Sequence, residues 1–303
     1  MRAMTDHRLL LVHAHPDDEC INNGATMARY VDEGIGVTLV TCTAGEMGEV
    51  LVPDLSHLAY DDKGGLGDHR RGELDDAMAV LGVTDHRFLG GFGRFHDSGM
   101  AWHEDGHAIA AETLPDNAFW TTDIIEAADE LVAIIREVRP QVLVTYDQFG
   151  GYGHPDHIQA HRVAMYASQL AAAPSYRLDL GEPHDVAKIY WTAMSESRMR
   201  ESLRKLRESG DTETFKGMEP DDKLPPFVTP DELISAKVDG STTVQRKMDA
   251  LAKHATQVDT SGHFFSGAES GHSWWSDEYY RLVKGTAGPV DADGFEADLF
   301  AGL

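Results

Sequence analysis

Two short strings of this chain concentrate side chains that could do chemistry. The first, His13-Ala14-His15-Pro16-Asp17-Asp18-Glu19, holds two imidazoles and three carboxylates within seven residues. The second, Tyr146-Asp147-Gln148-Phe149-Gly150-Gly151-Tyr152-Gly153-His154-Pro155-Asp156-His157, repeats the order His-Pro-Asp. Either string alone reads as a helix start, because proline suits the first turn and carboxylates suit its positive end. Both follow apolar, strand-like segments, so both sit at one edge of a sheet, and capping does not explain the repetition. Two such loops can assemble one metal site, with three N or O ligands and a position left for water. His15 and Asp18, three residues apart, can aim at one ion, and His157 closes the set. Two neutral imidazoles and one carboxylate leave Zn²⁺ with net positive charge, which makes its water acidic near neutral pH. Asp17 stands beside these ligands as the candidate general base. On the opposite wall, a protonated His154 would hold an oxyanion or protonate a leaving amine. Asp156 would raise its pKa, and Tyr152 would add a hydroxyl donor. His13, by strand alternation, points to the other side and is read as structural.

The elements that must position these loops alternate strand with helix. Residues 9–15 (LLLVHAH), 37–43 (VTLVTCT) and 141–146 (QVLVTY) read as buried strands. Residues 22–33 read as a helix capped by Gly34, and Leu74, Met78 and Leu81 mark another that Gly82 can end. Ile124, Ala128, Leu131, Ile135 and Val138 recur on one face of a helix over residues 122–139, which Pro140 stops. Such alternation predicts an α/β, Rossmann-like fold: a mainly parallel sheet with helices on both faces. Residues 1–175 would form the catalytic core with both metal loops. Residues 176–303 would be a C-terminal extension packed on it, completing the substrate pocket within one integrated domain. Its helix falls near residues 244–254, and its aromatic segment at 274–280 is read as a hydrophobic clamp. Residues 96–119 and 214–243 lack sustained periodicity and read as long functional loops.

Composition narrows the partners. Lys and Arg total 26 against 51 Asp and Glu, a formal charge of −25, which repels nucleic-acid phosphates and anionic membrane surfaces. It does not repel a neutral sugar. The four aliphatics Leu9-Leu10-Leu11-Val12 are too short for a signal core or a membrane span. Two cysteines, Cys20 and Cys42, offer neither a disulfide framework nor a CxxC pair, so a reducing cytoplasm is expected. Cys20, next to the first string, reads as buried and inert.

A strand running into Ala14-His15-Pro16-Asp17-Asp18-Glu19, paired with a later His154-Pro155-Asp156-His157, resembles the LmbE-like (PIG-L) family of zinc-dependent N-acetylglucosaminide deacetylases. Residues 12–19, 40–49, 90–100, 150–157 and 253–258 look like its mycothiol-biosynthesis branch. That resemblance implies hydrolysis of the N-acetyl group of N-acetylglucosaminyl-inositol, a small pseudodisaccharide, to acetate and a free amine. It puts zinc on His15, Asp18 and His157, with Fe²⁺ able to replace it, and the general base on Asp17. His154 takes the acid or oxyanion role, with Asp156 tuning it and Tyr152 assisting. Sugar and inositol contacts fall on Arg70, Asp97, Glu49, Asn22 and Met100. Asn22 and Asn23 depart from the serine-containing pair expected there. Arg70 and Arg71 at a helix start are electrostatically unfavourable, which favours a ligand role for one of them.

Three other readings compete. The family's sister enzyme, a mycothiol S-conjugate amidase, shares the metal loops but carries proline before the HPDH histidine, where this chain has Gly153. A non-haem iron oxygenase also uses two histidines and a carboxylate, although usually on antiparallel scaffolds. A dinucleotide-binding module would need GxGxxG after the first strand, and the glycine strings at 64–67 and 90–93 lie elsewhere.

Overall fold

A computed structural model describes residues 6–60, 64–260, 265 and 275–303. Strand β1 (Arg8–His13) leads through the first string into helix α1 (Asp18–Glu33), followed by β2 (Gly36–Thr41), α2 (Leu66–Leu81) and β3 (Asp85–Phe88). A small hairpin, β4 (Ala101–Trp102) and β5 (Ala108–Ile109), interrupts the path to α3 (Ile124–Val138) and β6 (Val142–Thr145). A kinked helical turn, α4 (Gly150–Gly153), precedes α5 (Pro155–Ala172), β7 (Lys188–Ser195) and α6 (Glu196–Glu208). The chain ends with β8 (Val228–Thr229), β9 (Ala236–Asp239), α7 (Val244–Leu251) and β10 (Asp277–Lys284).

The sheet runs β3-β2-β1-β6-β7-β10-β9, with β8 added beside β7. β1 pairs parallel with both β2 and β6, β2 with β3, and β6 with β7; β10 is antiparallel to β7 and β9. Strand order therefore reverses between β1 and β6, and their carboxyl ends open a crevice there. Ligands of open α/β sheets bind at such switch points. Alternation along β1 supplies both cores. Leu9 and Leu11 pack with Met27, Met78 and Leu251 on one face, while Leu10 and Val12 pack with Leu131 and Val163 on the other.

The expected strands and helices form with shifted ends. β1 stops at His13 rather than at residue 15, because the chain turns at Pro16 to start α1. α1 begins at Asp18 rather than residue 22, its first turn being the acidic Asp18 and Glu19 themselves. α3 is close to the periodicity, with Asp123 capping its N-terminus by accepting from the N–H groups of Ile125 and Glu126. Residues 96–119 are less irregular than their sequence suggests: they hold the hairpin, and His96 bridges to Ala118. The residues after 176 contribute β7, β10 and β9 to the same sheet, and Ala236, Leu251 and Tyr280 to the same core as Leu9. Trp274 lies outside the described residues; Trp275 is buried in this core, with Lys247 Nζ 5.4 Å from its ring. Among the described residues no helix is long and apolar enough to cross a membrane.

Candidate active site

β1 and β6 deliver the two strings to the crevice side by side. Tyr146 Oη accepts the Ala14 N–H at 2.9 Å and locks one loop to the other. Three donor atoms then converge. His15 Nδ1 and Asp18 Oδ2 lie 3.3 Å apart, His157 Nε2 is 3.3 Å from the same carboxylate oxygen, and the two ring nitrogens are also 3.3 Å apart. A tetrahedral ion with ligands at about 2.0–2.1 Å spaces them roughly 3.3–3.4 Å from one another, so the triangle has the dimensions of a zinc site. The outer ring nitrogens support that use. His157 Nδ1–H donates to the Gly150 carbonyl at 3.2 Å, and His15 Nε2 faces Asp156 Oδ2 at 3.4 Å and Asp97 Oδ1 at 3.5 Å. Both rings thus keep their lone pairs for the triangle. All three side chains are buried, and two imidazoles and a carboxylate converging in a buried site call for a cation.

Asp17 sits at the edge of this triangle in a left-handed backbone conformation, φ 111°, that a non-glycine residue rarely adopts. Strain of this kind costs on the order of 1–3 kcal/mol and persists only where neighbours over-determine it. Here they do. The Asp17 N–H donates to Glu19 Oε2 at 2.9 Å, and Arg70 Nη2 binds both the Pro16 carbonyl and Asp17 Oδ2, the latter at 3.2 Å. Glu19 is held in turn by His254 Nε2 at 2.9 Å, wholly buried. Burial pushes the Asp17 carboxyl up to about 6, with Arg70 opposing and the Asp18 charge adding to the rise.

His154 caps α5, its Nδ1 accepting the Asp156 N–H at 3.1 Å. The ring proton is therefore on Nε2. Burial, together with His15 and His157 nearby, lowers its pKa to about 2. The expected tuning of His154 by the Asp156 carboxylate does not occur, because this ring meets only the Asp156 N–H. The Asp156 carboxylate turns the other way, accepting from the Ser98 N–H at 2.8 Å and facing His15. Tyr152 lies edge-on to His157 with ring centroids 5.2 Å apart, and burial raises its hydroxyl pKa, keeping the proton on. Glycines make this loop feasible: a Cβ on Gly150 would meet His157 Cβ at 2.7 Å, and one on Gly153 would meet the Ala108 carbonyl at 2.6 Å.

Residues 10–168 match the family described as PIG-L: GlcNAc-PI de-N-acetylase. The chain belongs to this family. It is 67% identical over 299 residues to the 1D-myo-inositol 2-acetamido-2-deoxy-alpha-D-glucopyranoside deacetylase of Nocardioides sp., spanning 98% of this chain and 99% of that one. It is 62% identical over 305 residues to the protein of the same name from Kribbella flavida, covering both chains completely. Its fold is that of the N,N'-diacetylchitobiose deacetylase from Pyrococcus horikoshii: TM-score 0.57 and 19% identity over 91% of this chain and 83% of that one. This chain is a hydrolytic N-deacetylase of a metal-dependent family, with a His/Asp cluster able to bind the metal.

Around the deacetylase centre, the residues expected to hold sugar divide. Glu49 and Met100 are exposed, and Asn22 is half-buried with its amide donating to the Asp18 carbonyl at 2.9 Å. Two others are turned inward. Arg70 is 3% exposed, its two Nη atoms bonded to Gly45, Pro16 and Asp17 oxygens. Asp97 is also 3% exposed, accepts the N–H groups of Met47 and Gly99, and presents Oδ1 to His15. Its carboxyl lies well below the usual range: burial works against this, but the facing His15 ring and the Gly99 N–H outweigh it. A loop that folds back over the sheet edge uses these acceptors internally. Asp97→Asn is accordingly expected to weaken metal binding about 10–100-fold while leaving the sugar KM near normal at saturating metal. Chelator competition and steady-state kinetics check both.

Three supporting residues escaped the sequence analysis. Ser98 fell in the 90–100 stretch noticed only by resemblance, with no role of its own. Glu19 ends the first motif, but its task appears only with its partner. His254 lies 235 residues away in a stretch noticed only by resemblance. His254→Ala leaves the Glu19 charge buried and unpaired, which is expected to cost about 3–5 kcal/mol of folding stability. Urea unfolding of the zinc-loaded protein measures it.

Proposed function

We propose that this deacetylase hydrolyses the N-acetyl group of 1D-myo-inositol 2-acetamido-2-deoxy-α-D-glucopyranoside, N-acetylglucosaminyl-inositol, to give glucosaminyl-inositol and acetate in mycothiol biosynthesis. The full-length similarity to relatives bearing that name supports the substrate. The observation that carries the chemistry is the 3.3 Å donor triangle with Asp17 clamped beside it. His15, Asp18 and His157 would hold Zn²⁺, and the same ligand set accepts Fe²⁺. When bound, the metal supplies Lewis acidity at the amide oxygen and a water that ionises near neutral pH.

Asp17 takes the proton of the attacking water on its carboxylate. The clamp from Arg70 and Glu19 fixes the direction in which that proton moves. As negative charge develops on the acetamide oxygen, His154 Nε2–H and the Tyr152 hydroxyl donate to it. Asp17 then passes its newly acquired proton to the departing amine nitrogen. Exposed Glu49 and Met100, with Asn22, remain for contacts to the sugar and inositol.

The amidase reading predicts a proline at position 153. Gly153 has φ 101°, far from the roughly −65° that proline imposes, and it packs against the hairpin. The loop in this chain is built for glycine. Amine release from N-acetylglucosaminyl-inositol and from a mycothiol S-conjugate, measured side by side, tests the assignment. A clear preference for the first is expected; a preference for the conjugate overturns it.

A further inference from the structure

Outside the catalytic crevice, the β4–β5 hairpin carries a second histidine and carboxylate cluster. Trp102 pairs with Ala108, so His103 and His107 face each other at the next position toward the tip. The His103 N–H donates to the His107 carbonyl at 2.9 Å, and Gly106, at φ 85°, closes the turn. The two imidazoles lie on the same side of the hairpin, with ring centroids 4.7 Å apart and planes 28° from parallel. Asp105 Oδ2 is 3.2 Å from His103 Nδ1, which also accepts the Asp105 N–H at 3.2 Å, so an ion takes this nitrogen in exchange for that hydrogen bond. One donor atom from each of the three residues lies within 4.8 Å of the other two.

We infer that His103, Asp105 and His107 form a second binding site for a divalent transition-metal ion. Two imidazoles and one carboxylate suit Zn²⁺, Ni²⁺ or Cu²⁺ rather than the oxygen-seeking Mg²⁺ or Ca²⁺. The side chains of His103 and Asp105 are 39% and 75% exposed, so the ion enters from solvent and the rings close on it by rotamer change alone. Water completes its shell, which makes the site weaker than the buried triangle. The chain's net charge of −25 raises the local concentration of cations.

The site's position gives it a consequence. Trp102 stacks on Tyr152 with centroids 6.0 Å apart, and His107 lines a cavity of about 420 Å³ together with Tyr152 and Trp120. An ion on the tip ties the two hairpin strands together where they wall the proposed oxyanion donor.

The test is Ni²⁺ binding by equilibrium dialysis to tag-free, zinc-loaded enzyme, comparing wild type, a His103→Gln/His107→Gln double variant and His157→Ala. Wild type is expected to take up one Ni²⁺ equivalent beyond the buried site at micromolar concentration. The double variant should bind that equivalent at least tenfold more weakly and still deacetylate, whereas His157→Ala should retain it. Quenching of Trp102 fluorescence by Ni²⁺, lost in Trp102→Phe and in the double variant, reports the same event locally. Equal Ni²⁺ uptake by wild type and the double variant overturns the inference, as does the absence of an additional equivalent in wild type. If His157→Ala holds as much metal as wild type while the double variant loses one equivalent, the hairpin site stands and the buried metal assignment fails.

Discussion

His157→Ala is expected to leave the buried site of the deacetylase with far less than one equivalent of metal and to reduce kcat/KM by roughly 10³-fold or more. The magnitude follows from the several kcal/mol that a bound metal contributes to transition-state charge stabilisation, each 1.36 kcal/mol being tenfold. His157 supplies one corner of the 3.3 Å triangle, and its ring orientation is set by the Gly150 carbonyl. Alanine removes the corner and leaves His15 and Asp18, from one loop, to hold the ion alone. The fold should survive, because α5 keeps its cap at His154 and its apolar face against α3. Metal content by elemental analysis and amine release on the same preparation measure both outcomes. Normal metal content in His157→Ala would remove this residue from the ligand set.

Asp17→Asn separates the base from the metal. The variant is expected to keep its full metal equivalent while kcat falls by about 10²–10⁴-fold, the usual contribution of a positioned acid–base group. Asparagine preserves the size of the side chain and can still accept from Arg70, and the backbone clamp through Glu19 is untouched. What it loses is the ability to take and return a proton. KM should change little, since this residue faces water rather than the sugar's outer hydroxyls. Near-normal turnover by Asp17→Asn would make another group the base.

The motifs were legible because each is local. A strand that runs into His-Pro-Asp-Asp-Glu announces a loop, a helix start and a set of ligands in consecutive residues, and the second string does so again. The parallel core strands were legible for the same reason, as short runs of buried aliphatics. β10, by contrast, reads Asp-Glu-Tyr-Tyr-Arg-Leu-Val-Lys, with charges at both ends, and its pairing between β7 and β9 depends on partners remote in sequence. Asp97 reads as an ordinary turn residue until its loop is seen folded against His15. Asp156 lies two residues after His154, yet its carboxylate serves His15, because the first turn of α5 turns the two side chains in different directions.

The sequence by itself determined the fold class and the two His/Asp strings at the ends of β1 and β6, since periodicity and short-range spacing encode these directly. Only the tertiary structure decided how they work together. Placing β1 beside β6 brings His15 and His157, 142 positions apart, within 3.3 Å. Folding the C-terminal segment over α1 puts His254 on Glu19, and so fixes Asp17 in a conformation that its own residue type disfavours. Hydrogen-bond partners of buried polar groups are chosen by which loops cross, and loop crossings depend on the packing of the whole chain.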